Sequence, residues 1–351
     1  MRLLLILLSL PHYRGRYLKE EGRLAINNKK AASIAFETAF KLHVNRKIKM
    51  KKYISSLLFL IAAMLWGFAF SAQKAAEALS AFTVGGVRNI FATVFLFAVI
   101  PLLDKFTENG RKLIGGARPF DFTRAELVGG VICGVILTVA SAFQQTGLAD
   151  GTDAGKAAFI TALYVVIVPV ISAVTGKRSP LNVWISVGIA VVGFYLLCIK
   201  DGFTIIPSDA LVLICAIIFA LHIVAIDRFS PRCDGVRMSC IQFFTAFILN
   251  TALALIFESP IQWGTVWECF PALLYLGICS SGIAYTLQIV GQKDANPAVA
   301  SVILSLESVF GVIGGAIVLG ESMQPREYLG CAVVFASVIL SQIDFKAKSK
   351  K

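Results

Sequence analysis

Charge is scarce in this chain. Only 15% of its 351 residues are Asp, Glu, Lys or Arg, whereas soluble domains carry about 25%. That deficit excludes a fold that covers its whole surface with polar side chains. Histidine is almost absent, and His12, His43 and His222 are too scattered for a zinc site. None of the eight cysteines forms a CxxC pair, and most lie within apolar runs. They read as small packing residues, not as disulfide or metal ligands. There is no GxSxG elbow, phosphate loop, HExxH or heptad series. Neither a cofactor nor a metal is expected, and no enzyme signature is present. A membrane enzyme would need catalytic residues clustered at one interface. The longest inner loop, 104–126, offers Asp104, Glu108, Asp121 and Glu126 but no histidine.

Apolar residues make up 57% of the chain. A bilayer span needs roughly 20 predominantly apolar residues, and ten such stretches fit between about residues 53 and 343. Most connections are short and carry Gly, Pro, Asp or Lys. The formal net charge is +12, but the basic residues do not interleave with aromatics as a nucleic-acid surface would. They cluster between apolar runs, which points to a membrane surface and to lipids as partners. On one side of the ten stretches lie 21 Lys and Arg, and on the other lie four: Lys74, Lys156, Lys200 and Arg326. This bias places both termini in the cytoplasm, and an even number of spans agrees with that. The expected location is the cytoplasmic membrane.

Residues 1–49 differ. The start MRLLLILLSLP resembles that of a signal peptide, but its apolar stretch is short and no small-x-small cleavage site follows before PHYRGR, so a signal sequence is the lesser alternative. The segment is expected to lie outside the fold. It is either an interfacial stretch or the product of a start placed too early, since Met50-Lys51-Lys52 would itself begin a membrane protein well.

An offset of 144 lays residues 140–176 on residues 284–320 without gaps, with nine of 37 positions identical. The matches include Gln144 with Gln288, Gly147 with Gly291, Asp150 with Asp294 and Gly176 with Gly320. Two halves, 53–199 and 209–343, then hold five spans each. An odd number of spans forces the second half into the membrane upside down. The fold expected is an all-α integral membrane protein of ten transmembrane helices in two inverted five-helix repeats. Secondary transporters are often built so, with the substrate site between the repeats near the midplane.

Particular phrases resemble a family. LWGFAF at 65–70, Arg88 in VRNIF, and LSLESVF…LGE at 304–321 before a final span are similar to EamA-type transporters of the drug/metabolite transporter superfamily. FQQTGL…AGKAAFITALYVVIVPV at 143–170 resembles a bacterial subgroup of them. The resemblance covers about 53–343. It implies the ten-span fold and transport of a small metabolite, without naming one. Ser308 stands where the family often has proline, which removes the usual cause of a kink. Lys177 stands at the end of the first repeat where the second has Glu321.

Ionisable residues inside spans are rare and face a cavity or a partner. Glu307 follows Pro297 by ten residues, which at ~1.5 Å per residue puts it about 15 Å deep. A charge there costs on the order of 3 kcal/mol, and protonation lowers that cost. Gly311 and Gly314 share its face, so Glu307 is expected to point inward as a substrate or proton site, or else as a structural ion-pair partner. Arg88, in the outer half of span two, suits either an anionic group or an anchoring role. His222, deep in span six, is either hydrogen-bonded to a neighbour or part of a proton relay with Glu307. Trp66 lies too deep for the aromatic belt and is a cavity-lining or core residue. Lys74 and Lys156 sit at outer span ends as interfacial residues. Lys156 can also join Arg88, Gln144 and Gln145 in a cationic, hydrogen-bonding vestibule. Gly130/Gly134 and Gly311/Gly315 are spaced for close helix approach within the chain.

The functional expectation is a secondary active transporter that moves an amino acid or similar organic acid by alternating access, with proton-coupled export. The partners would be a small-molecule substrate and protons. The rival readings are a nucleotide-sugar or lipid-linked-sugar carrier or flippase, and a sensor or scaffold that transports nothing.

Overall fold

In lipid no water satisfies the backbone, so an apolar chain must make its hydrogen bonds within helices or closed barrels. This chain takes the helical solution. The computed structural model describes residues 50–106, 121–152, 154–199, 206–318, 320 and 323–343, and every regular element among them is helical. The expectation for residues 1–49 lies outside the described residues.

The helices are α1 Met50–Ala75 and α9 Phe270–Gln292, with α2 Ala81–Phe106, α3 Arg124–Ala149, α4 Ala154–Ala162, α5 Tyr164–Val174, α6 Leu181–Cys198, α7 Pro207–Phe229, α8 Gly235–Phe257, α10 Pro297–Leu304, α11 Glu307–Val318 and α12 Pro325–Gln342. A short helix, Trp263–Glu268, precedes α9.

Polar residues punctuate the starts. Thr123 and Glu126 form reciprocal bonds at the head of α3, a capping box. Asp234 caps α8 by accepting from the N–H groups of Val236 and Arg237. Asn296 caps α10, with Pro297 in its first turn. The turns after α5 and α11 use Gly176 and Gly320 at φ +92° and +69°, left-handed values that favour glycine. These two glycines match under the offset of 144.

Among the described residues, eight helical stretches are long and apolar enough to cross a bilayer, counting Pro297–Val318 as one. The expected count of ten full spans is not reached. The fourth is broken, and its apolar part, Phe159–Val174, is short. The last, α12, has polar terminal turns with Arg326, Glu327 and Gln342. Large apolar side chains stand exposed along helix faces, among them Leu127, Val131 and Val135 on α3 and Leu213, Ile217 and Leu221 on α7. Stripes this wide suit a lipid-facing surface.

The ninth span breaks at Ser305–Leu306 even though no proline stands there. Leu306 N–H reaches back only to Ile303 O, at 3.1 Å, a tightened turn. Ser301 and Ser305 donate their hydroxyls to Ala298 O and Val302 O, at 2.9 and 2.8 Å, a local bonding habit that bends helices. The fourth span breaks at Leu163, between α4 and α5. Under the offset of 144 the two breaks coincide to within about a residue.

Across the bundle α2 packs on α8, α6 on α12, and α5 on α10. Contacts of α3 with α8 are matched by contacts of α2 with α9. Gly130 and Gly134 let α3 approach the α8 backbone, and Gly67 brings α1 against Phe310 of α11.

The α2–α8 pair is latched at both ends. Asp104, near the end of α2, takes Nη2 of Arg237 at 2.9 and 2.8 Å. Glu258, just past α8, accepts from Phe82 N at 2.8 Å and from Thr83 N and Oγ1 at 2.7 and 2.8 Å. Asp104 and Glu258 are 154 residues apart, as are Thr83 and Arg237. The difference from 144 is absorbed between α2 and α3, where the long charged loop lies.

The side chains of Arg237 and Asp104 are only 7% and 11% exposed. Removing either side chain takes away the nearest counter-charge of a largely buried ion, although Arg237 Nη1 also lies 3.8 Å from Asp234, so Arg237→Ala or Asp104→Ala should destabilise by up to about 3 kcal/mol. Replacing both by leucine should recover most of it. Melting of the purified variants in detergent checks this, and single variants that melt like the wild type would contradict it.

Candidate functional site

The two latches and the apolar core leave a cavity of about 560 Å³ inside the bundle. It runs from Lys74, Glu77 and Phe82, around the α1–α2 turn, to Phe219, Leu304 and Glu307. Its size falls within the usual range for small-molecule sites.

One wall is a wide-turned π-helical segment of α9, Leu276–Tyr285 (LGICSSGIAY). Such turns are frequent at functional sites. Gly277 and Gly282 bring it close to α2, because a Cβ on Gly277 would meet Arg88 O and Phe91, and one on Gly282 would meet Phe95. That approach sets Arg88 against two hydroxyls, with Nε to Ser281 Oγ at 3.0 Å and Nη2 to Ser280 Oγ at 3.1 Å. The loosened carbonyls of the segment find side-chain donors. Trp66 Nε1 donates to Ser280 O at 3.0 Å, and Thr286 Oγ1 donates to Gly282 O at 2.6 Å. Tyr285 closes the wall, its ring 4.6 Å from Trp66, 5.8 Å from His222 and 5.6 Å from Phe243.

A further part of the lining comes from the two helix breaks. Glu307 opens α11 just after its break, and Tyr164 opens α5 just after the other. The Tyr164 hydroxyl donates to Glu307 Oε1 at 3.0 Å. One hydrogen bond thus joins the two interrupted helices.

Six of the seven residues singled out from the sequence line this one cavity: Glu307, Arg88, His222, Trp66, Gln144 and Gln145. Lys156 lies in α4, but its side chain is outside the described residues. No ion pair forms between Glu307 and a cation among the described residues; its hydrogen-bond partner is Tyr164. His222 Nε2 meets Gln242 Oε1 at 3.1 Å, with no hydrogen bond to Glu307. Gln144 Nε2 donates to Thr161 Oγ1 at 3.3 Å. Sequence reasoning missed Tyr164, Ser280, Ser281 and Tyr285. A Ser-Ser pair flanked by glycines within an apolar span was the available signal for the π segment. Nothing in the sequence marked Tyr164, which only the crossing of the two breaks brings to Glu307.

A bundle of apolar helices around a polar, charge-bearing cavity has the build of a multi-pass membrane transporter. The comparisons agree. The sequence profile of the EamA-like transporter family matches residues 54–199 and again 206–342. A protein of Archaeoglobus fulgidus described as "Uncharacterized transporter" is 30% identical over 297 residues, covering 83% of this chain and 86% of that one. A solved structure described only as "Crystal structure of protein" shares the fold at a TM-score of 0.67 and 17% identity, covering 82% of this chain and 96% of that one. The chain belongs to the EamA-like transporter family, and it is a membrane transporter.

Tyr164 is 4% exposed, and Glu307 has no other hydrogen-bond partner among the described residues. Tyr164→Phe should therefore lower stability by about 1–3 kcal/mol. A double-mutant cycle with Glu307→Leu, read by thermal unfolding, should return a coupling energy of about 0.5–3 kcal/mol. Additive losses would mean that the contact carries no weight.

Proposed function

We propose that the chain is a secondary active transporter that moves an amino acid, or a similar organic acid, across the cytoplasmic membrane by alternating access. Export coupled to protons is the mode put forward, with both termini in the cytoplasm. The halves 53–199 and 209–343 act as inverted five-helix repeats. The coinciding breaks and the exchangeable helix pairings support this, and the cavity lies between the halves.

One observation carries the substrate reading. Arg88 and Glu307 line the same cavity, and neither is ion-paired among the described residues. Opposite charges kept apart in a low-dielectric site are costly, and a zwitterion relieves both. Its carboxylate takes the planar fork of Arg88, which the serines orient. Its ammonium takes Glu307. When Glu307 instead accepts a proton, it no longer attracts the ammonium, and substrate and proton compete for one carboxylate. That competition is the basis of coupling.

A carrier for nucleotide or lipid-linked sugars calls for a vestibule dense in Arg and Lys. Among the described lining residues the cations are Arg88 and Lys74, which favours the zwitterion.

The test is uptake of labelled amino acids by proteoliposomes with and without an imposed pH gradient. Glu307→Gln should abolish the response to the gradient, and Arg88→Ala should cut transport of carboxylate-bearing substrates at least tenfold while sparing amines without a carboxylate. Unchanged pH dependence in Glu307→Gln would overturn the coupling role. Equal loss for all substrate charges in Arg88→Ala would reduce that residue to a structural one.

A further inference from the structure

The repeat relation singles out one more cavity residue. The offset of 144 puts Gln288 on Gln144 and Ser305 on Thr161. In the first half the Gln144 amide is tied to Thr161 Oγ1. In the second half the Ser305 hydroxyl is turned away, donating to Val302 O at 2.8 Å. The Gln288 amide is left with no hydrogen bond among the described residues, and its Oε1 is fully buried without a partner. Gln288 is 1% exposed yet lines the cavity. Gln242 and Gln292 also carry one buried, unbonded amide atom each. Their other amide atoms are engaged, by His222 and by Ile223 O, and neither residue lines the cavity. Leaving a buried amide unpaired is a cost that native structures avoid.

We infer that Gln288 is a specificity-determining residue, whose Oε1 accepts a hydrogen bond from a donor group on the substrate. Resting on the zwitterion reading above, the donor is the substrate ammonium. That group carries three N–H donors, more than Glu307 alone satisfies, and Gln288 supplies another acceptor in the lining of the same cavity. The amide therefore selects for a free amine where a deaminated acid, lacking the ammonium, would leave it unpaired. Specificity of this kind, set by a buried polar group, is stronger than a match of shape alone.

The test uses the purified full-length protein and Gln288→Met, which keeps the length of the side chain and removes its polarity. Ligand-induced thermal shifts are measured with the twenty standard amino acids, and dissociation constants are then measured for the best of them and for its deaminated carboxylic acid. Without ligand, Gln288→Met should melt at the wild-type temperature or above, because an unpaired amide has been replaced by an apolar group. Its affinity for the amino acid should fall by roughly tenfold or more, while affinity for the deaminated acid stays as in the wild type. Unchanged affinity for the amino acid would overturn the inference and leave the zwitterion reading standing. A lowered melting temperature with equal losses for both ligands would assign Gln288 a structural role instead. Wild-type protein that binds none of the twenty would overturn the zwitterion reading and this inference together.

Discussion

Every backbone group of a membrane span has to be satisfied by the protein itself, and this constraint organises the site. An unbroken helix meets it but offers no place for a polar ligand. Here three spans depart from regular geometry, and each departure is repaired by named groups, side chains in two spans and backbone in the third. Trp66 and Thr286 cover carbonyls of the π segment in α9. Ser301 and Ser305 bond back within the ninth span beside its break. The fourth span closes its break with short-range backbone bonds, Leu163 N to Ile160 O and Val166 N to Leu163 O, at 3.1 and 2.9 Å. The cavity exists because these repairs let three walls bend without exposing bare backbone to lipid.

The repairs also place the charges. Glycines at 277 and 282 bring α2 and α9 close enough for Arg88 to be held by Ser280 and Ser281. Hydroxyls hold the guanidinium without neutralising it, so its charge stays available. Glu307 stands at the first position of α11, where the partial positive end of a helix favours a carboxylate, and a tyrosine from the other half bonds it. A neutral hydrogen-bond partner on each ion, accepting serines at Arg88 and a donating tyrosine at Glu307, keeps both ordered and leaves their charges to be met by a ligand. Two of the ion pairs among the described residues, Arg237 with Asp104 and Lys177 with Asp227, lie near helix ends, where they fasten elements together.

Much of this was legible in the sequence, for physical reasons. Lipid rewards long apolar runs, so hydropathy marked most of the helices, and the rarity of charge inside them drew attention to Glu307, Arg88 and His222. Ten full spans are not confirmed: among the described residues eight stretches reach full length and hydropathy, because the fourth span breaks at Leu163 and the terminal turns of α12 are polar. The break in the ninth span carries no proline, and serine back-bonding leaves no comparable mark in composition. Tyr164 and Tyr285 were invisible because aromatic residues within apolar spans are ordinary, and their partners come from elements 143 residues away, in the case of Tyr164 and Glu307, or from three separate helices, in the case of Tyr285. The offset of 144 did pair Gln144 with Gln288, but only the geometry shows that one amide is tied and the other is not.

The central claim is that Arg88 and Glu307 are held apart so that a zwitterion can bridge them. It is tested most directly by an experimental structure of the protein with its transported substrate bound. The account predicts the substrate carboxylate on the Arg88 guanidinium and its amine on Glu307, within the cavity between Trp66 and Tyr164. A substrate seated elsewhere, or Arg88 and Glu307 paired with each other beside it, would contradict the account.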